Sequence, residues 1–235
     1  METKIKDTEI KSGKPVPTKQ FFCEFLAKSS FELSTIVDVG TKYQTKELRE
    51  NFKQVHQILI EPQNKYNTRI KELYKNNIFT ILNVGCDSHV DTLYIHEKGE
   101  DFFKLPTHNK LNCEISDTEV KIETLDNICK ELKNNLLLKI DTDGHEVGVL
   151  QGGRNYCLKK CAFVIIETTF KRFAEITDIM TKENFELFQI VDLCYFQNIL
   201  WQVDLIFVRK DVREETKIFN PEFLAKDYYE YKPEY

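Results

Sequence analysis

Ser34-Thr35-Ile36-Val37-Asp38-Val39-Gly40 reads as a strand: Thr35, Ile36, Val37 and Val39 are β-branched, Asp38 brings a carboxylate near its end, and Gly40 stops it. Its apolar residues are consecutive rather than alternate, as in a strand covered on both faces within a parallel sheet. Moving toward the C-terminus, the same unit recurs. Thr45 to Val55 fits a helix with Leu48, Phe52 and Val55 inward, and Gln57 to Pro62 is a second strand containing Glu61. Lys65 to Lys75 reads as a helix, Ile78 to Val84 as a third strand, and Leu136 to Asp141 and Ala162 to Glu167 as two more. Strand and helix alternating every twenty residues or so predict an α/β fold. Its sheet is mostly parallel, with helices on both faces.

The remaining segments refine this outline. Thr92-Leu93-Tyr94-Ile95 and Glu119 to Thr124 read as short edge or antiparallel strands, with a loop-like stretch between them. Leu125 to Leu132 and Glu146 to Leu150 are expected helices, followed by a turn at Gly152-Gly153, and a further helix is expected near Met180 to Phe185. Leu187 to Leu193 and Gln202 to Val208 then read as an antiparallel C-terminal hairpin. Ahead of the first strand, Phe21 to Ala27 has helical apolar spacing. Residues 1–20, with five lysines and two prolines, form an expected flexible arm. The central domain is expected over residues 21–210, and a polar, tyrosine-rich tail over residues 211–235.

Composition narrows the function classes. The chain has 235 residues, with 33 Lys plus Arg against 38 Asp plus Glu and a formal charge of −5. It lacks the basic surplus by which nucleic-acid binders displace counterions, so no nucleic-acid partner is expected. No apolar run approaches the roughly 18–20 residues of a membrane helix, and no signal-peptide core is visible. A soluble cytoplasmic protein without membrane partners is the expectation. Seven cysteines, an odd number without a C-x-x-C pair, argue against a disulfide framework or zinc ribbon. Cys157 and Cys161 are expected on one helix face as small buried residues.

Asp38, Glu61, Asp141 and Glu167 each sit at or near a strand end. In a parallel sheet these ends share one rim, where ligands bind. Gly40 allows close backbone approach after the first strand. Glu61, about twenty residues on, is expected at an accessible strand end and suits a ribose diol. Gly40-Thr41-Lys42-Tyr43-Gln44 has no second or third glycine for a pyrophosphate cradle. The spacing therefore suits a nucleoside without a diphosphate, and S-adenosyl-L-methionine is the common cofactor of that description.

The sequence resembles the FkbM-type S-adenosylmethionine-dependent methyltransferases, a branch of the class I Rossmann-like methyltransferases. The most specific stretch runs from Leu137-Leu138-Lys139-Ile140-Asp141-Thr142-Asp143-Gly144-His145-Glu146 to Gly152-Gly153. Val37 to Gly40, Ile60-Glu61-Pro62, Asn83, Val120 to Asp126 and Val164 to Glu167 support it. The resemblance covers roughly Thr35 to Arg209. The first loop departs from the usual Ala-Asn-x-Gly, carrying Thr41-Lys42-Tyr43-Gln44. By resemblance, Asp38 and Gly40 border the methionine part, Glu61 the ribose hydroxyls, and Asn83 to Asp87, Cys86 included, the adenine edge. Asp141 lies beneath the sulfonium and acceptor, and Asp141 or His145 takes the acceptor's proton. The implied reaction is O-methylation of a sugar, glycan or small metabolite. Tyr94, Phe102 and Phe103 are candidate acceptor-wall residues. Two other readings use the same residues. Asp141-Thr142-Asp143 has the form of the metal site in glycosyltransferases, and the altered first loop suits a catalytically silent binding domain.

Overall fold

The computed structural model describes residues 17–96 and 117–216. At its centre, β1 (Thr35–Val39) lies between β2 (His56–Ile60) and β7 (Leu136–Ile140), all parallel. β3 (Phe79–Leu82) flanks β2, and β8 (Cys161–Thr169) flanks β7, again in parallel. β10 (Ile199–Arg209) runs antiparallel beside β8, and β9 (Phe185–Phe196) forms the outer edge. Strand order turns back between β1 and β7, so the crevice for a ligand is expected at their carboxyl ends. A separate small sheet joins β4 (Gly85–Cys86), β6 (Asp117–Glu123) and β5 (Asp91–His96). Here β5 and β6 pair antiparallel, as their sequence suggests.

Side chains alternate across the sheet, and a core results on each face, with a smaller third cluster of Leu59, Ile70 and Tyr74. Ile36, Leu137, Phe163, Ile165 and Ile206 pack on one face with Phe22, Cys23 and Leu26 of α1 (Lys19–Lys28) and Leu48 of α2 (Lys46–Asn51). Val37, Leu138, Val164, Ile166 and Leu205 pack on the other. That face is covered by α4 (Leu125–Cys129), α5 (Glu146–Gln151), α6 (Cys157–Lys160) and α7 (Phe170–Lys182). Burying each such side chain contributes about 1.5–3 kcal/mol, enough to make the two-sided burial of β1, β7 and β8 dominate local preferences. Near the carboxyl edge the α1-side alternation turns polar. Asp38 follows Ile36, Lys139 and Asp141 follow Leu137, Glu167 follows Ile165, and Asp204 precedes Ile206. A row of charged residues therefore crosses this face from strand to strand.

Several expectations shift. The first helix starts at Lys19, capped by Thr18, inside the stretch expected as an arm. At the other end α8 (Lys210–Thr216) extends past residue 210, into the expected tail. The helix expected near Met180 to Phe185 is α7, which begins at Phe170. Phe173, Ile176, Ile179 and Met180 recur at helical spacing, and Asn184 turns left-handed before Phe185 opens β9. The Thr45–Val55 helix is only Lys46–Asn51. Cys157 and Cys161 do not share a helix, because Cys161 opens β8; both are buried free thiols. The hairpin turns at Gln197-Asn198, both at positive φ, as a two-residue connection between right-twisted strands requires. No helix among the described residues is long and apolar enough to cross a membrane.

Candidate active site at the carboxyl edge

Three strand ends are locked together by backbone. Gly40 has φ +80°, and a Cβ there would sit 1.7 Å from the Asp141 carbonyl oxygen, so only glycine lets the first loop cross the end of β7. The amides of Gly40 and Thr41 both donate to the Ile60 carbonyl, at 3.0 and 3.2 Å, and Asp141 N–H donates to Val39 at 3.0 Å. The loop is thereby held over β2 and β7. Tyr43 turns outward, exposed and packed against Tyr66 at a ring separation of 6.4 Å.

Glu61 sits under this loop. It is only 5% exposed, which corrects the accessible strand end expected from sequence. Its Oε2 accepts from Lys42 N–H at 2.8 Å and its Oε1 from Gln63 N–H at 2.9 Å. Burial pushes its carboxyl above the usual range, against the pull of those two amides. Asn83 Nδ2 donates to the Glu61 carbonyl at 2.9 Å and pairs with Asn67, which fixes the next strand end beside it. Cys86 contributes backbone only to this edge, because its thiol is buried in the core beside Cys129. Asp87 and His145 come together: His145 Nδ1 lies 3.1 Å from Asp87 Oδ2. Burial pushes Asp87 up, but the Ser88 amide and the His145 ring outweigh it and leave the carboxyl below its ordinary range. With the Nδ1 proton directed at Asp87, Nε2 is left as a buried acceptor without a hydrogen-bond partner. α5 approaches this pair closely, since a Cβ on Gly148 would meet Asp87 Oδ1 at 2.1 Å. Glu146 shapes the start of α5 by accepting from Gly144 N–H at 2.7 Å.

The end of β7 carries the charges. Lys139 Nζ is 3.0 Å from Asp141 Oδ2 and 3.4 Å from Asp38 Oδ1. Asp38 is fully buried and neither of its oxygens has a hydrogen bond, so it reaches the site only through this ion pair and the loop above it. Burial pulls the Lys139 ammonium down, but Asp38 and Asp141 outweigh it and hold it above the ordinary lysine range. Asp141 and Glu167 hydrogen-bond each other across β7 and β8. Burial and the Asp141 charge push Glu167 up to about 8, so the two carboxyls share one proton near neutrality. Burial would also raise Asp141, yet Lys139 and the Glu167 hydrogen bond bring it below its usual value. Asp143 joins them, one oxygen of each acid lying within 4.8 Å of the others. Lys139 Nζ already occupies one oxygen of Asp141, and no finding supports the divalent metal of the glycosyl-transfer reading.

A family model described as the methyltransferase FkbM domain matches residues 38–187, which contain all of these groups. The chain belongs to this family. Among solved structures it is similar to an FkbM methyltransferase from Methylobacillus flagellatus, with 16% identity and a TM-score of 0.47. That match covers 74% of this chain and 43% of that one, so the chain spans less than half of that protein. A putative methyltransferase from Streptococcus mutans, in complex with SAH, has 8% identity and a TM-score of 0.46, covering 83% of this chain and 100% of that one. A ribosomal protein L11 methylase from Lactobacillus delbrueckii has 10% identity and a TM-score of 0.43, with coverage of 81% and 79%. No curated protein matched the sequence.

The FkbM domain also uses residues to which sequence reasoning gave no role. Lys139 could have been found as a lysine inside an otherwise apolar buried strand, which must have a partner. Asp126 accepts from the amides of Asn155, Tyr156 and Cys157 at 2.9, 2.7 and 2.9 Å, tying α4 to α6. Lys19 and Asp204 lie outside the matched residues. Lys19 Nζ is 2.7 Å from Asp204 Oδ2, and its backbone N–H donates to Asp192 at 3.3 Å. Phe102 and Phe103 fall outside the described residues, as does the side chain of Tyr94.

Proposed function

We propose that this FkbM domain transfers a methyl group from S-adenosyl-L-methionine to a hydroxyl of a sugar, glycan or small metabolite. The observation that carries the reading is the family match over the residues that build the crevice, from Asp38 and Gly40 through Glu61, Asn83 and Asp87 to Asp141. The donor set fits such a ligand. Each Glu61 oxygen accepts one backbone amide and retains a second lone pair, as a ribose diol needs. The unpartnered His145 Nε2 is an acceptor of the kind an exocyclic amino group satisfies. Bound there, the cofactor supplies an electrophilic methyl group that needs little beyond an aligned oxygen.

The protein's own part is positioning and proton handling. Holding the acceptor in line with the methyl group is worth roughly 7–11 kcal/mol when the geometry is tight. Asp141 is the group that takes the acceptor's proton, with Lys139 fixing its orientation from below. Asp87 orients the His145 ring through Nδ1 and leaves Nε2 to accept, an arrangement that serves either a cofactor amino group or the acceptor's proton.

Calorimetric titration with S-adenosylmethionine and with S-adenosylhomocysteine tests the reading. Saturable binding of both ligands, weakened at least about tenfold by Glu61→Gln, is the expected result. Absence of binding at millimolar ligand overturns it. For the acceptor, methyl-labelled cofactor incubated with a cell extract should place label in an alkali-stable ether of a glycan or small molecule. Label appearing only on nitrogen, sulfur or nucleic acid contradicts O-methylation.

A further inference from the structure

Five carboxyl groups and two ammonium groups form the polar row on the α1 face. Asp38, Asp141, Glu167, Asp192 and Asp204 stand against Lys19 and Lys139. The row holds more carboxyl groups than ammonium groups to pair with them. Asp204 is 2% exposed and stands directly across the β8–β10 ladder from Glu167; its Oδ2 holds Lys19 while its Oδ1 is buried without a hydrogen bond. Asp38 is likewise short of partners. Buried carboxyl oxygens without partners are costly, and a cation arriving beside the row relieves the cost. The row reaches the crevice at Asp141, whose side chain is 30% exposed.

We propose that this row is the counter-charge for a sulfonium, and that Glu167 is the specificity-determining residue by which the site separates the cationic methyl donor from its neutral demethylated product. The inference rests on the methyl-donor reading above. Of the row, Lys19, Asp192 and Asp204 lie outside the matched residues 38–187. Glu167 is faced by Asp141 from β7, Asp143 from the following loop, Asp204 from β10 and Lys19 from α1, and Lys19 in turn meets Lys139 and Asp192. Of these Asp192, pushed up by burial to about 6, has lost its proton before Glu167 begins to release its own. Raising the pH through about 8 therefore adds one negative charge beside Asp141.

The test uses the full chain and two ligands. Dissociation constants for S-adenosylmethionine and S-adenosylhomocysteine are measured by calorimetry from about pH 7 to about pH 9. Both ligands carry the same adenosine and amino-acid groups, but the sulfonium acidifies the donor's amino group within this window, so each ligand's own titration, measured in solution, is corrected for in the ratio. The ratio should move toward the charged ligand by about fivefold or more across this window. Glu167→Gln should leave the ratio flat. If that variant fails to fold, the wild-type series decides alone. A ratio that does not change while both ligands bind overturns the assignment of Glu167 and leaves the methyl-donor reading standing, as does a wild-type change that persists in the glutamine variant. Failure of both ligands to bind overturns both.

Discussion

At Gly40 two requirements coincide: a left-handed φ of +80° and a Cβ position inside the van der Waals radius of the Asp141 carbonyl. Gly40→Ala should therefore cost well over the roughly 1–2 kcal/mol of a left-handed alanine alone. Urea unfolding measures it, and a loss within that range would mean the loop can move off β7. Lys139 makes a second case. Removing its ammonium with Lys139→Met leaves Asp38, fully buried, without an ion pair, at an expected cost of about 3–5 kcal/mol in the same measurement. A near-neutral substitution would show that buried Asp38 does not depend on this ion pair. The glycine was legible in sequence because it ends a strand. Lys139 was visible too, as a lysine amid Leu and Ile with Asp141 two residues on along the same face, but its other partner was not. Asp38 meets it only through the β1–β7 register.

At the scale of elements, β1, β2, β7 and β8 were readable because consecutive apolar residues admit few alternatives to a doubly covered strand. The first turns of α7 were not, since their apolar residues are diluted by Lys171, Arg172, Glu175 and Asp178 and the start has no side-chain cap. α1 could be seen, but not the Lys19 anchor at its first residue. That contact spans 185 positions and depends on how β10 folds back. Connections between elements are where a stability effect belongs. Asp126→Ala removes the acceptor for three amides at the start of α6. A loss of about 2–4 kcal/mol in thermal or urea unfolding is expected, at the upper end of single hydrogen-bond deletions. A loss below about 0.5 kcal/mol would mean that water replaces the carboxylate without cost.

For the whole molecule, the polar row links folding to pH. Folded Glu167 keeps its proton to about pH 8, whereas an unfolded glutamic acid releases it near about 4.3. Between those values the native state binds more protons than the unfolded state. The contribution of Glu167 to stability therefore falls as pH rises, then levels off above about 8. Glu167→Gln removes this dependence, so the variant should gain on the parent as pH rises through that interval and hold a constant difference beyond it. A difference independent of pH would show that the residue titrates alike in both states. The central claim concerns ligand rather than fold, and a crystal structure grown with S-adenosylhomocysteine tests it most directly. The ribose hydroxyls should lie on the Glu61 carboxylate, with the adenine beside Asp87 and the thioether over Asp141. A well-ordered ligand elsewhere, or a crevice still closed over Glu61 at saturating ligand, would contradict it.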